Sequence, residues 1–266
     1  MAAAGRQVNL PAARLRVAFI SHGARVGVRV SESRLLARVR DCLPPGSKLS
    51  PTPVLDELYT LVRGTDSTYE LYSGTRLLAQ VAGEDAALAM LGSWLHFAVA
   101  LSARPGVFVH AGVVAWRGRA VLIPGRSMSG KSTLVSALLA AGATYYSDEY
   151  AVIDADGLVH PYPKPLNLRV SLPWMAGAAF SGSPGTEPLR AGLIVITRFK
   201  HGASWRPKRV PPGRSALALL NNSVAIRTRP KAVLASVGRC ALHAPAVQSP
   251  RGDAHKVARP LLTLVD

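Results

Sequence analysis

The sequence predicts an α/β domain over residues 105–266, preceded by a small α+β domain over residues 1–104. Apolar and polar residues alternate early in the chain, as they do in strands with one buried face. The run Arg104-Pro105-Gly106 is a strong helix stop and separates the two parts. In the second part, an apolar strand at 120–123 leads through a glycine-rich loop into a helix at 131–141, an order typical of α/β folds.

The first domain is predicted to contain a short sheet and two helices. Residues 14–30 form two strands around a turn at His22–Gly23, and residues 31–43 have helical spacing, with Ser31 or Ser33 as the cap. Three further strands are expected, at 57–62, 68–72 and 77–81. This domain carries no catalytic motif, and its role is unknown.

The segment 86–103 contains no Asp, Glu, Lys or Arg and is close to the length of a membrane span. It also contains Gly92, Ser93 and His96 and many alanines, so it is only mildly hydrophobic. A buried helix explains these features as well as a membrane span does, and we favour the buried helix.

The second domain is predicted to alternate strands and helices. The expected strands are 107–116, 120–123, 145–153, 158–159 and 193–199, and the expected helices are 131–141, 215–220, 230–242 and 253–262.

Composition excludes several classes of protein. With 48% hydrophobic and 18% charged residues, the chain is not intrinsically disordered. Two cysteines, Cys42 and Cys240, cannot build a disulfide scaffold and indicate free thiols in a reducing compartment. The first ten residues lack the apolar region of a signal peptide, so we expect a cytoplasmic protein.

The formal net charge is +17, from 32 Lys and Arg against 15 Asp and Glu. Such a surface attracts polyanions, although a compositional bias spread over solvated faces would give the same total. The densest cationic region is interrupted by apolar residues and comprises Arg198, Lys200, Arg206, Lys208 and Arg209. Nothing resembles a basic tail, so nucleic acid is not the expected partner.

The strongest motif is Gly125-Arg126-Ser127-Met128-Ser129-Gly130-Lys131-Ser132, which fits the phosphate-loop pattern G-x-x-x-x-G-K-[ST]. Glycines let the backbone approach phosphate oxygens, and successive N–H groups and a helix N-terminus point at the same anion. The lysine adds a positive charge, and the serine hydroxyl can coordinate Mg²⁺. The residues expected to bind the nucleotide are Gly125, Arg126, Ser127, Met128, Ser129, Gly130, Lys131, Ser132 and Thr133. By itself the loop leaves ATPase, GTPase, kinase and passive sensor open.

Two acidic residues, Asp148 and Glu149, follow the loop's helix within the predicted strand 145–153. A magnesium–nucleotide site needs a carboxylate, and a kinase also needs a group that accepts the proton of the acceptor hydroxyl. Side chains of neighbouring strand residues face opposite sides, so both acids reach one site only if the backbone bends. We predict metal ligation by Ser132, Asp148 and Glu149, with a solvated strand end as the alternative.

His110 lies in an otherwise apolar strand before the loop. A lone histidine in such a run is usually a satisfied core residue. Because the neighbouring strand ends at the phosphates, a polar contact near them is also possible.

Together these residues resemble the C-terminal catalytic domain of HPr kinase/phosphorylase. That family shows a strand beginning H-G/A, a loop G-x-S-x-x-G-K-S, a D-D pair after it and a V-R-P-G-R segment. The corresponding segments here are His110-Ala111-Gly112, Gly125 to Ser132, Asp148-Glu149 and Val210-Pro211-Pro212-Gly213-Arg214. The resemblance covers residues 107 to about 263, and Glu149 replaces the second family aspartate.

The resemblance implies a P-loop kinase on a phosphoenolpyruvate-carboxykinase-like fold that uses ATP and Mg²⁺ to phosphorylate a protein or peptide serine. It implies that His110 and Lys131 act in the active site, that Asp148 is the base and that Ser132 binds Mg²⁺. We further expect Arg214, together with Lys131, to balance charge on the transferred phosphoryl group.

The chain also departs from the family pattern. The family's E-I-R-G would fall at Asn167-Leu168-Arg169-Val170, where only Arg169 is retained. We therefore expect a divergent relative without phosphorylase activity, acting on a protein or peptide other than HPr. Alternatives are an NTP-binding regulatory or polyanion-binding module without phosphotransfer, and a small-molecule kinase. Residues 1–104 could bind the acceptor, and a homo-oligomer is compatible with the sequence.

Overall fold

A computed structural model describes residues 15–51, 54–64, 66–126, 129–164 and 183–265. These residues form two compact units, Met1–Arg104 and Pro105–Asp266. Both units combine helices with β-sheets, which agrees with the α/β character of the predicted fold class.

The first unit is built on a sheet of six described strands in the order β3-β1-β2-β4-β5-β6. Its elements are β1 (Leu15–Ser21), β2 (Ala24–Val30), α1 (Ser33–Asp41), β3 (Lys48–Leu49), β4 (Glu57–Arg63), β5 (Thr68–Ser73), β6 (Arg76–Ala82) and α2 (Glu84–Ser102). The predicted strands and helices are all present within a few residues of their expected bounds. The predicted cap is wrong, because Glu32 occupies the N-cap of α1 and makes no side-chain cap hydrogen bond.

Helix α2 corresponds to the apolar segment of the sequence. Among the described residues it is the one helix long and apolar enough to cross a membrane by length and composition. It packs against β2, β5 and β6, and Leu91, Leu95 and Val99 are fully buried. In this structure α2 therefore covers the sheet of its own unit.

The second unit contains eight described strands, ordered β11-β10-β7-β8-β12-β14-β13, with β9 also paired to β7. Strands β8, β12 and β14 are parallel, so their carboxyl ends meet at one edge of the sheet. The elements are β7 (Val107–Trp116), β8 (Arg119–Pro124), α3 (Lys131–Ala140), β9 (Thr144–Ser147), β10 (Tyr150–Ile153), β11 (Val159–His160), β12 (Ala191–Phe199), β13 (Lys208–Arg209), α4 (Pro212–Leu220), α5 (Pro230–His243), β14 (Ala246–Arg251) and α6 (Ala254–Leu262).

Two apolar layers cover this sheet. On one face, α3 and α6 pack together around Leu134, Leu138 and Leu261. On the other face, α4 and α5 bury Leu219 and Val237 against the strands. The sheet is thus buried on both sides, which explains why its central strands are almost continuously apolar.

Two sequence predictions for this unit need correction. The single strand expected over 145–153 is wrong, because it is interrupted at Asp148-Glu149 and forms β9 and β10. Strand β14 was not predicted at all, because Gln248, Ser249 and Pro250 break its apolar pattern.

Candidate functional site

The glycine-rich loop begins where β8 meets the first half of β7. The N–H of Gly125 donates to the carbonyl oxygen of His110 at 3.1 Å, which joins the start of the loop to β7. Gly130 ends the loop with φ 86°, a left-handed conformation that favours glycine, and α3 begins at the next residue. The first turn of α3 contains no acidic residue. Its N-terminal N–H groups and the positive end of the helix dipole therefore face the loop with no carboxylate from the helix's own first turn opposing them.

The side chain of Lys131 reaches back to the first two residues of the loop. Its Nζ donates to the carbonyl oxygens of Gly125 at 2.7 Å and Arg126 at 2.8 Å. Burial lowers the pKa of this ammonium, whereas the nearby carboxylates Asp148 and Glu149 raise it. The charge of Lys131 is therefore held between the loop and the acidic pair.

Asp148 is the buried acid of the site, with 9% of its surface exposed. Burial raises the pKa of its carboxyl, while a hydrogen bond from the Ser132 hydroxyl and the nearby Tyr145 hydroxyl oppose the rise. The Tyr145 hydroxyl donates its one proton to the carbonyl oxygen of Lys164 and lies 3.4 Å from Oδ1 of Asp148. Because Ser132 lies in the first turn of α3 and Asp148 follows β9, its contact with Asp148 joins the two chain segments that the sequence predicted would meet.

A side-chain-capped turn bends the backbone at the acidic pair. The Ser147 hydroxyl accepts hydrogen bonds from the N–H groups of Glu149 at 3.2 Å and Tyr150 at 3.1 Å. The bend is what separates β9 from β10. It meets the condition under which two consecutive acids can both approach one site.

Glu149 differs from Asp148 in its partner. Its carboxylate forms an ion pair with the Lys164 ammonium, and both side chains are 27% exposed. Since this charge is already balanced, Glu149 is less available to a metal ion than Asp148. The structure therefore favours Ser132 and Asp148 over Glu149 as the oxygen ligands.

His110 is half-buried beside the same bend. Its ring hydrogen-bonds the backbone carbonyl of Glu149 and lies 4.6 Å from the Tyr150 ring, centroid to centroid. Burial, and secondarily the charge of Lys131, lower the pKa of the imidazole, so it is mainly neutral at pH 7. His110 therefore contacts the bend at Asp148-Glu149, and it lies close enough to Lys131 for the lysine charge to lower the pKa of its ring.

The remaining residues that the sequence predicted for the site either lie away from the loop or fall outside the described residues. Arg214 lies in the first turn of α4, and its Nε donates to Gln248 Oε1 of β14 at 3.4 Å. In the sheet, β12 separates β14 from β8, and no described contact joins Arg214 to the loop. Ser127 and Met128 of the loop, and the segment Asn167-Leu168-Arg169-Val170, lie outside the described residues.

Arg251 belongs to this site but was missed from the sequence. It ends β14, is 2% exposed, and donates from Nη2 to the Gly130 carbonyl at 2.6 Å and from Nη1 to the Gly252 carbonyl at 3.1 Å. A Cβ on Gly130 would lie 2.7 Å from this Nη2, so a larger residue at this position would displace the guanidinium. Arg251 lies far from the loop in sequence and within no recognised motif, so only the unpredicted pairing of β14 could have revealed it.

Two buried polar atoms at the loop have no hydrogen-bond partner among the described residues: Ser129 Oγ and Arg251 Nε. An unpaired buried donor costs free energy, so such atoms commonly mark a ligand or solvent position. Both are donors, as are the N–H groups of α3, so the cluster fits an anion such as a nucleotide phosphate.

The donor set also fits Mg²⁺. The Ser132 hydroxyl and the Asp148 carboxylate are oxygen ligands, and Mg²⁺ in nucleotide sites commonly takes one or two carboxylates together with phosphate oxygens and water. No cluster of three or more His, Cys, Asp or Glu side chains with metal-binding geometry occurs in the described ranges. A magnesium ion here would therefore be held jointly by protein and nucleotide.

No protein-family model matches the sequence, and no curated protein matches it. Among solved structures, the fold is similar to the HPr(Ser) kinase/phosphatase from Coxiella burnetii, with a TM-score of 0.32 and 15% sequence identity. The match covers 59% of this chain and 92% of that one. The likeness is distant, so family membership stays a prediction from the motifs.

Proposed function

We propose that the chain is a kinase that transfers the γ-phosphate of ATP to a hydroxyl group, with serine of a protein or peptide as the acceptor. The observation that carries the proposal is the contact between Ser132 and the buried Asp148, next to Lys131 at the end of the loop. A phosphate-binding loop needs only the amides and the lysine to hold a nucleotide. A buried carboxylate with a raised pKa at the same point supplies what phosphotransfer to a hydroxyl needs in addition.

In this mechanism the loop amides and Lys131 position the triphosphate and stabilise negative charge as the phosphoryl group moves. Ser132 and one oxygen of Asp148 would hold Mg²⁺, which when bound neutralises charge on the β- and γ-phosphates. The second oxygen of Asp148 accepts the proton of the acceptor hydroxyl. Glu149 and Lys164 form an ion pair next to Asp148, and His110 supports the bend that presents it.

The proposal is tested by combining calorimetry of ATP with Mg²⁺ and transfer of labelled γ-phosphate to serine peptides. A kinase binds ATP and labels peptide faster than it releases inorganic phosphate into water. ATP binding without labelling of peptides or small alcohols would instead indicate a nucleotide-dependent regulatory module. Labelling of small alcohols alone would indicate a small-molecule kinase. Absence of ATP binding would reject all three.

The pH dependence of transfer reports on Asp148. Because burial raises its pKa, the carboxyl stays protonated to higher pH than an ordinary aspartate, and the protonated form cannot accept the hydroxyl proton. We expect kcat/KM for a peptide without titratable side chains to fall toward acid pH as the Asp148 carboxyl becomes protonated, and the fall to be absent in Asp148→Asn. The same acid-side fall in Asp148→Asn would contradict the assignment.

Replacement of Arg251 by methionine is expected to weaken ATP binding by about tenfold to a hundredfold, since a hydrogen bond to a charged group contributes roughly 1.5–3 kcal/mol. The fold should keep its stability, because removing a buried cation relieves its desolvation, and the Gly130 carbonyl still accepts from the Leu134 N–H at 3.1 Å. Calorimetry with ATP and thermal unfolding measure the two effects. A large loss of stability with unchanged affinity would make Arg251 purely structural.

A further inference from the structure

A cavity of about 360 Å³ opens at the edge of the second unit where the parallel strands end. Its lining includes Ile196, Thr197 and Arg198 of β12, Lys200 after it, and Gln248 and Ser249 of β14. The cavity does not include the loop residues described above, but it lies close to them. The N–H of Phe199 donates to the Ser129 carbonyl at 3.4 Å, which joins the end of β12 to the loop.

Four of the five residues of the cationic region lie in this cavity's lining or in segments that pair with it. Arg198 and Lys200 line it directly. The N–H of Arg206 donates to Ser249 Oγ at 3.0 Å, and Lys208 pairs with Gln248 as β13 joins β14. These four side chains are exposed, and none forms an ion pair within the part of the chain that the structure describes.

The walls of the cavity are mainly apolar, and a few polar groups lie among or beside its lining residues. Thr197 Oγ1 is buried and has no hydrogen-bond partner among the described residues. Gln248 adds an amide, and its Oε1 accepts from Arg214 Nε, which places a further guanidinium next to the lining. Arg214, predicted from sequence to act on the phosphoryl group, is thus found beside the cavity.

From this arrangement we infer that the cavity binds carboxylate side chains that flank the acceptor serine of an acidic peptide. The inference rests on the proposed function, because an acceptor hydroxyl must approach the loop whose Ser129 touches the end of β12. Unpaired cations at that approach favour acceptors of opposite charge and disfavour basic ones.

The size and lining of the cavity favour a peptide over nucleic acid. A volume of about 360 Å³ holds one or two side chains. None of the lining residues is aromatic, whereas grooves for single-stranded nucleic acid usually combine cations with aromatic stacking surfaces.

The test uses the full chain and a fluorescent peptide with one serine flanked by glutamates, compared with the same peptide carrying glutamines. Fluorescence anisotropy without ATP measures binding. We expect the glutamate peptide to bind at least about tenfold more tightly, and the double variant Arg198→Gln, Lys200→Gln to lose roughly tenfold in affinity for it. The matched control Lys231→Gln, Arg259→Gln removes the same charge from exposed positions on α5 and α6 and should change affinity less than about twofold.

Four outcomes of the binding measurements would overturn the inference. Two concern the peptides: equal affinity for both peptides, or an equal loss of affinity for the glutamate peptide in the control variant. The third is that a single-stranded oligonucleotide binds more tightly than the peptide and loses that binding in the cavity variant. The fourth is that the cavity variant loses affinity for ATP. The last would assign the cavity to the nucleotide.

Transfer is measured separately on the same peptides. Efficient phosphorylation of the glutamine peptide would overturn the inference and leave the kinase proposal intact. Cavity-dependent binding of the glutamate peptide without phosphorylation would support the anion site and reject the kinase proposal for this acceptor class.

Discussion

Replacement of Asp148 by asparagine is expected to lower the rate of phosphate transfer by roughly a hundredfold to ten-thousandfold, the usual range for losing a general base. Asparagine keeps the shape of the side chain, and its amide oxygen can still accept from the Ser132 hydroxyl. Asparagine cannot accept a proton as the carboxylate does. It also lacks the negative charge that attracts the Lys131 ammonium and that would attract a metal ion. Single-turnover transfer of labelled γ-phosphate measures the change.

The same substitution should not harm the fold. Burial raises the pKa of Asp148 in the folded chain above its unfolded value, so the folded state binds a proton more readily. The contribution of Asp148 to the free energy of unfolding therefore falls as pH rises from its unfolded pKa through its folded pKa. At neutral pH the buried, ionised carboxylate destabilises the folded state. Asp148→Asn removes this cost, so we expect an unfolding temperature at neutral pH equal to or above that of the wild type.

A matched control separates catalysis from general charge. Asp156→Asn removes an exposed carboxylate from the turn after β10 and should leave transfer within about twofold of wild type. Equal transfer by Asp148→Asn and wild type would remove Asp148 from the base role. A lower unfolding temperature together with lost transfer would mean that misfolding, not chemistry, caused the loss.

Local patterns predicted the loop because all its parts are adjacent in sequence. The strand ending at Pro124, the glycines and the helix beginning at Lys131 lie within one short stretch, and each has a strong residue preference. The acidic pair was predicted to face the loop on condition that the backbone bends. The bend depends on the Ser147 hydroxyl, a feature that alternation of apolar residues does not reveal.

Contacts between distant segments could not be predicted in this way. Arg251 reaches Gly130 only because β14 pairs with β12, and β14 carries polar residues that hide it from a strand pattern. The ion pair of Lys164 with Glu149 likewise joins residues whose pairing has no periodic signal. Both contacts depend on how distant segments pack in the fold. The sequence therefore located the phosphate loop but did not identify the side chains that surround it.

Replacement of Lys131 by methionine is expected to reduce transfer by at least about a hundredfold, as when a positioned donor to developing charge is lost. Methionine keeps the aliphatic stem but removes the ammonium that bridges the Gly125 and Arg126 carbonyls at 2.7 and 2.8 Å. ATP affinity should fall less than the rate, because the backbone N–H groups of the loop still bind phosphate. Calorimetry and single-turnover transfer separate the two effects.

Two further variants show whether the position of the charge matters. Lys164→Met removes an ammonium that is paired with Glu149 and acts on Asp148 only through its charge, so its effect on transfer should be smaller than that of Lys131→Met. Lys131→Arg keeps the charge, yet a planar guanidinium cannot reproduce the compact contacts of Nζ with two carbonyls, and we expect only partial activity. If Lys131→Met and Lys164→Met weakened transfer equally, the loop lysine would have no special role. If Lys131→Met abolished ATP binding altogether, its charge would act on the bound nucleotide before the chemical step rather than on the transition state.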